Sequence, residues 1–400
     1  MKNQPKITVG IMDRQTEVFG CLDGNFRGDG FGPVSGQFSA KAMAGMIVLC
    51  DRAHCEITRS PSIRLTAKEG SILRLRQGTT ARSGQAFTLF NVTIGNRFHW
   101  ERTEDQTFQG DLILRPRRDG TIAAINELPL EEYLKSVISS EMSGAAPLEF
   151  LKAHGILARS WLLAGLGRRR KKGKTSIPAG KIIKKEGEVI RWYDREDHDL
   201  FDVCADDHCQ RYHGITKIVS EQAEETVRET RGMVITYQDE ICDARYSKAC
   251  GGITENFETA WDDKRVPYLL SISDASVPHC SIVTEEEASV WILSDPDAYC
   301  HTKDERLLEK ILPDFDRKTK TFFRWRVEYS RKELEEIIQE KSGFDFGTLQ
   351  KIIPLSRGPS GRISRLKIVG SKRSMVVGKE LEIRRWLSRS HLYSSAFLVT

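Results

Sequence analysis

The chain has 400 residues, with 61 basic against 56 acidic side chains and a formal net charge of +5. A hydrophobic fraction of 39% and a mean hydropathy of −0.41 describe a globular chain long enough for two or three domains with their own cores. No window approaches the ~18 consecutive apolar residues of a membrane span. The nine cysteines are widely spread, the chain's size excludes a small disulfide scaffold, and no nucleic-acid motif accompanies the slight basic excess.

The opening stretch, MKNQPKITVGIMDRQ, lacks the apolar core of a signal peptide. On this reading the protein stays inside, leaves by another route, or has its export signal outside this sequence, so its location is left open. Residues 1–120 read as a β-rich region. KITVGI, MIVLC, SIRLTA, SILRLR, AFTLFNVTIG and LILRPR are short, β-branched runs bounded by turn formers such as GDGFG and RDG.

From Leu128 the period changes. Leu130, Tyr133, Leu134, Val137, Ile138 and Glu141 share one face of a helix, with Pro129 suited to its first turn. Ser143 and Gly144 are expected to end it. Pro147 opens a second helix with Leu148, Leu151, Ile156, Ala158 and Leu162 inward, and Gly165 and Gly167 are expected to stop it. Glu141 therefore stands where the stripe calls for an apolar residue. It is either an end-of-helix Glu that reaches water or a basic partner, or a carboxylic acid in desolvated surroundings that can donate a proton. Lys152 and Arg159, seven residues apart on the second helix, are placed either to steady that carboxylate or to bind an anionic group of a substrate.

Residues 168–197 read as a basic insertion that opens with RRRKKGK, a solvated loop rather than a nucleic-acid patch, and a mildly basic surface would also suit an anionic glycan polymer. A hairpin through EGEVIRWYD is expected within it. QRYHGI, GMVITY, DARYSKACGG and YLLSISD read as strands, KDERLLEKIL and SRKELEEIIQEK as helices, and the tail as a hairpin followed by a helix over KELEIRRWL. Cys242 and Cys250 are a thiol pair or simply core residues. His198, Cys204, His208 and Cys209, with His213 just beyond, offer two thiolates and two imidazoles. That set suits tetrahedral Zn²⁺, and equally surface histidines with unpaired cysteines.

NELPLEEYLKSVISSEMSGAAPLEFLKAHGILARSW resembles the signature helical hairpin of the SpoIID/LytB family, the stage II sporulation protein D group. Leu130, Tyr133, Glu141, Met142, Pro147, Leu148, Glu149, Leu151, Lys152, Ala153, Ala158, Arg159 and Ser160 fill the family pattern, while His154 replaces its usual Gln. CQRYHG resembles the Gln-x-Tyr-x-Gly element, and VRETRGMVITYQDEICDARYSKACGGITENFETAW resembles the Thr-x-Gly through Gly-Gly-x-Thr-Glu core. The likeness runs over most of Asp111 to Trp386, interrupted by the insertion.

The resemblance implies a peptidoglycan lytic transglycosylase that cleaves between N-acetylmuramic acid and N-acetylglucosamine without water, with Glu141 as the acid and then base. It also implies a structural zinc at His198, Cys204, His208 and Cys209, denuded glycan strands as substrate, and work outside the cytoplasm. Candidate glycan contacts are Lys152, Arg159, Gln210, Tyr212, Tyr246, Ser247, Gly251, Gly252, Thr254 and Glu255. A turn that needs positive φ explains the two glycines equally well. Ser247 as a nucleophile lacks a visible His–Asp pair. The same resemblance offers a non-catalytic alternative, an amidase enhancer acting on a partner cell-wall hydrolase, and a pure glycan-binding module is a third reading. The fold class expected is α+β: a β-rich region over 1–120, then a SpoIID-like mixed domain over 121–400 whose helical hairpin lines a glycan cleft.

Overall fold

The computed structural model describes residues 4–67, 74–75, 82–95, 101–172, 181–193, 198–206, 208–217, 221–313, 316–317, 322–390 and 392–399. The described elements before Leu130 are all strands, strands and helices mix after it, and the fold is α+β. The chain forms two compact units. The first is Met1–Ser176 with Asp197–Asp243 and Glu309–Asp314, and the second takes Ile177–Glu196, Ala244–Leu308 and Phe315–Thr400.

The first unit is built on an 11-stranded sheet among the described residues. Its centre is Lys6–Gln15 against Ile122–Pro129 against Asp111–Pro116, all antiparallel. The division expected near residue 120 therefore falls between two strands paired along their length. The short strand Val203–Cys204 adds in parallel to the outer side of Lys6–Gln15, with Gly10 opposite Cys204. Gly10 is glycine because the Phe201 ring lies over it: a Cβ there would come within 2.4 Å of that ring.

Helix α1 (Leu130–Glu141) leaves the end of the central strand, and α2 (Leu148–Lys172) returns beside it. Glu131 and Glu132 fall in the first turn of α1, where the helix dipole favours negative charge. Tyr133, Leu134, Val137 and Ile138 are fully buried and share one apolar core with Leu112, Leu114, Ile122 and Leu128 of the sheet. Burying each such side chain contributes about 1.5–3 kcal/mol. Helix α3 (Glu221–Glu229) packs Ala223 and Val227 into the same core.

Two expectations are corrected here. Gly165 and Gly167 do not stop α2, which runs on to Lys172. Each glycine costs about 1 kcal/mol in a helix. Leu162 is buried and Leu166 packs against the same core, and Arg169 ties the extension down by donating to the carbonyls of His198 and Phe201 (2.8 Å to Phe201). The strands expected at QRYHGI, DARYSKACGG and YLLSISD are not ladders. These stretches make isolated bridges and turns, such as Ile253 opposite Ser273, and only Thr236–Tyr237 of GMVITY is strand.

The second unit holds a five-stranded sheet in the order Ile182–Lys185, Glu188–Arg191, Ser374–Gly378, Ile363–Gly370, Leu349–Arg357. The hairpin expected in the basic insertion is its edge, and it joins the C-terminal strands through a parallel pair. The remainder of the insertion, 173–180 and 194–197, lies outside the described residues. The expected C-terminal helices form, Arg331–Ser342 with a full capping box between Ser330 and Glu333 and Glu380–Trp386 after the tail hairpin.

Candidate functional site

Glu141 is the last residue of α1, on the same stripe as the buried Tyr133, Leu134, Val137 and Ile138. Its side chain is 17% exposed. His154, on the second turn of α2 and itself buried, places Nε2 2.7 Å from Glu141 Oε2. The Arg211 backbone N–H donates to Glu141 Oε1 at 3.2 Å. The carboxylate is thus gripped at both oxygens, by a group that can carry a proton and by a main-chain amide. A carboxylate oxygen has two acceptor positions, so Oε1 can accept the amide and still carry a proton.

The segment that supplies Arg211 is anchored from below. Tyr133 Oη donates to Gln210 Oε1 (3.0 Å), Gln210 Nε2 donates to the Ala158 carbonyl (3.2 Å), and Tyr212 Oη donates to Asn126 Oδ1 (2.6 Å). The Tyr212 ring stacks on Tyr133, with centroids 5.1 Å apart. Gln210 and Tyr212 are buried. They hold the loop under Glu141 and do not present a glycan-binding surface.

The structure places Lys152 and Arg159 away from Glu141. Arg159 is 1% exposed and forms a two-pronged ion pair with Glu131, Nε to Oε1 at 3.1 Å and Nη2 to Oε2 at 2.6 Å. A third bond runs to the Met233 carbonyl. Lys152 pairs with Glu149 and Glu229, at 2.7 and 2.6 Å. Both cations are committed away from Glu141. In the basic run, Arg168 pairs with Asp243 and Arg169 with Asp202, so its first residues work within the fold.

His198, Cys204, His208 and Cys209 converge, their ligand atoms all within 4.8 Å of one another. His198 Nε2 lies 3.3 Å from Cys209 Sγ, His208 Nδ1 3.4 Å from Cys209 Sγ, and Cys204 Sγ 3.8 Å from His208 Nδ1. Tetrahedral zinc with Zn–S near 2.3 Å and Zn–N near 2.05 Å has S···N edges of about 3.5 Å, so the four atoms fit such an ion. The Cys204 thiol is held far below the usual thiol value, first by the hydrogen bond from Cys209, then by His198 and His208. A thiolate is the form a metal takes. His213 is not part of the group. It is buried, and burial, with the Arg211 and Lys217 charges, pushes it down to about 3.

Tyr246, Ser247, Gly251, Gly252 and Thr254 belong to the second unit. Tyr246 and Ser247 are exposed. Thr254 Oγ1 donates to the Leu270 carbonyl and accepts from the Ile272 N–H. Gly251 and Gly252 both have positive φ, and a Cβ on Gly252 would meet the Trp291 ring at 2.9 Å. The turn accounts for both glycines. Glu255 is enclosed by Ser360, Thr259 and the Asn256 N–H, and burial raises its pKa.

Sequence reasoning missed two groups on Glu141. His154 stood out only as a departure from the family's Gln, and the Arg211 amide carries no side-chain signal. The hairpin offered the missing hint for His154, since a short connection brings the last turn of one helix against the first turns of the next.

Fold and site together define an α+β protein whose helical hairpin presents one braced carboxylate beside a metal-competent His/Cys loop. Residues 118–237 match the family model described as "Stage II sporulation protein" (SpoIID), so that segment is similar to the SpoIID family. The segment holds Glu141, His154, Arg211 and all four residues of the His/Cys group. The likeness expected to continue to Trp386 ends there in this comparison; residues 255–400 match a second model, a "Domain of unknown function (DUF8618)". Among similar proteins are stage II sporulation protein D of Bacillus amyloliquefaciens (27% identity over 149 residues, 37% of this chain and 39% of the relative) and that of Bacillus subtilis (27% over 153 residues, 37% and 39%). An uncharacterized protein of Brachyspira hyodysenteriae is 28% identical over 162 residues, 40% of this chain and 36% of the relative. The chain thus spans less than two-fifths of the length of each of these curated relatives.

Proposed function

We propose that this protein acts on the bacterial cell wall as a peptidoglycan lytic transglycosylase, with Glu141 as its single acid and base. The observation that carries the reading is a partly buried carboxylate at the Glu-Met position of the SpoIID hairpin, held by His154 and the Arg211 amide. Protonated Glu141 donates its proton to the glycosidic oxygen as the bond to the muramic C1 breaks. The N-acetylglucosamine leaves with a free 4-hydroxyl. The resulting carboxylate accepts the proton of the muramic C6 hydroxyl as that oxygen closes on C1, giving a 1,6-anhydro end. One proton leaves Glu141 and one returns, and no water is consumed. A single carboxyl group therefore suffices, unlike the two carboxylates of the usual glycosidase. His154 Nε2 steadies Oε2 in both forms.

In this reading zinc at His198, Cys204, His208 and Cys209 is structural, because four protein ligands leave no open position. It would fix the loop that carries the Arg211 amide to Glu141. Glycan strands, stripped of stem peptides, are the proposed substrate. The test is release of anhydro-muramic ends from purified glycan by native protein and by Glu141→Gln. A folded chain that binds glycan and releases none would favour the amidase-enhancer role.

A further inference from the structure

The second unit contains another group of soft ligands. Cys250, Asp274 and Cys300 come together from three separate stretches, with their ligand atoms within 4.8 Å of one another. We propose that these three residues form a second zinc-class site, with a fourth position open to water.

Four observations carry it. The two sulfurs are unbonded and 3.7 Å apart, close to the ~3.8 Å edge of a tetrahedral zinc dithiolate with Zn–S near 2.3 Å. A carboxylate stands beside both, where a simple disulfide needs none. The backbone holds all three in place. Cys300 N–H donates to Asp274 Oδ2 (2.9 Å), Asp274 N–H to the Gly252 carbonyl (2.9 Å) and Tyr299 N–H to the Asp274 carbonyl (2.8 Å). Arg362 Nη2 and Arg324 Nη1 clamp the Cys250 and Gly251 carbonyls, at 2.9 and 3.2 Å. Finally, the Gly251–Gly252 turn next to Cys250 keeps that loop close to Ala298 and Trp291, so the sulfur cannot drift without unpacking the turn.

Two thiolates and one carboxylate select Zn²⁺ over Mg²⁺ or Ca²⁺. Binding releases the two thiol protons to solvent. Zinc here would tie the Gly-Gly turn to the segment around Tyr299, 50 residues further along the chain.

The experiment uses the full chain purified without chelator, equilibrated with zinc and desalted. In a chain carrying Cys204→Ser and Cys209→Ser, about one zinc per chain should remain, and adding Cys250→Ser and Cys300→Ser should remove it. A second measurement needs no variant. Alkylation of the native chain, read by peptide mapping, should show Cys250 and Cys300 protected together by added zinc, while the exposed Cys55 reacts equally with and without it. Equal alkylation of Cys250 and Cys300 in both conditions would overturn the proposal. So would recovery of a Cys250–Cys300 disulfide from freshly purified protein.

Discussion

His154 Nε2 lies 2.7 Å from Glu141 Oε2, across the turn of the helical hairpin, at a position where the SpoIID pattern usually has Gln. Gln can donate the same hydrogen bond but cannot carry a proton. His154→Gln is therefore expected to keep the fold and most of the activity. His154→Ala removes a hydrogen bond to a charged group, worth about 1.5–3 kcal/mol, and should lower kcat roughly 10- to 100-fold with little change in KM. Loss of most of the activity in a folded Gln form would show that His154 does more than make this hydrogen bond.

Arg159 and Glu131 form a buried ion pair. Removing one member leaves the other charge in the core, a loss of about 3–5 kcal/mol. Arg159→Ala should therefore destabilise strongly in denaturant titration. Replacing Lys152, whose partners are at the surface, should change stability far less. Equal stability for both variants would contradict the assignment of Arg159 to the core.

Metal at the His/Cys group should couple to the fold of its loop. Cys204→Ser is expected to lower zinc content and Tm together. Activity should fall with them, because the Arg211 amide lies two residues beyond Cys209. Elemental analysis beside calorimetry tests this. Native protein that holds no zinc at this group yet is fully active would refute it.

His213 gives a pH dependence. Its folded-state value, pushed down to about 3, lies below the 6.5 of an ordinary histidine. The unfolded chain binds a proton that the folded chain refuses, so this contribution to stability is present above pH ~6.5 and is lost as pH falls toward 3. Between pH 6.5 and 5 the loss should be about 1.6 kcal/mol, the slope rising toward about 1.4 kcal/mol per pH unit. Denaturant titrations at the two pH values should show a smaller drop in His213→Gln. The same drop in both proteins would show that His213 is not its source.

The helical hairpin was legible because helix period is a local signal. Leu130, Tyr133, Leu134, Val137 and Ile138 all point inward as their spacing requires. The end of α2 was not, because the packing of Leu162 and Leu166 and the tether of Arg169 are tertiary and outweigh two glycines. The His/Cys group was legible because its four residues lie within twelve positions of chain. Asp274 and Cys300 were not, because the folded chain brings them to Cys250 from 24 and 50 residues away. Arg159 faces its helix neighbour as expected, but the partner is Glu131, at the opposite end of α1 from Glu141. Spacing gives the face of a helix and leaves open which turn of the neighbour it meets.

The most direct test of the central claim is mass spectrometry of the products from purified, peptide-free glycan strands. The native chain should release fragments ending in 1,6-anhydro-N-acetylmuramic acid, and Glu141→Gln, with unchanged Tm and metal content, should release them ~10²–10⁴-fold more slowly. Unchanged release by a folded Glu141→Gln chain, or reducing muramic ends in place of anhydro ends, would contradict it.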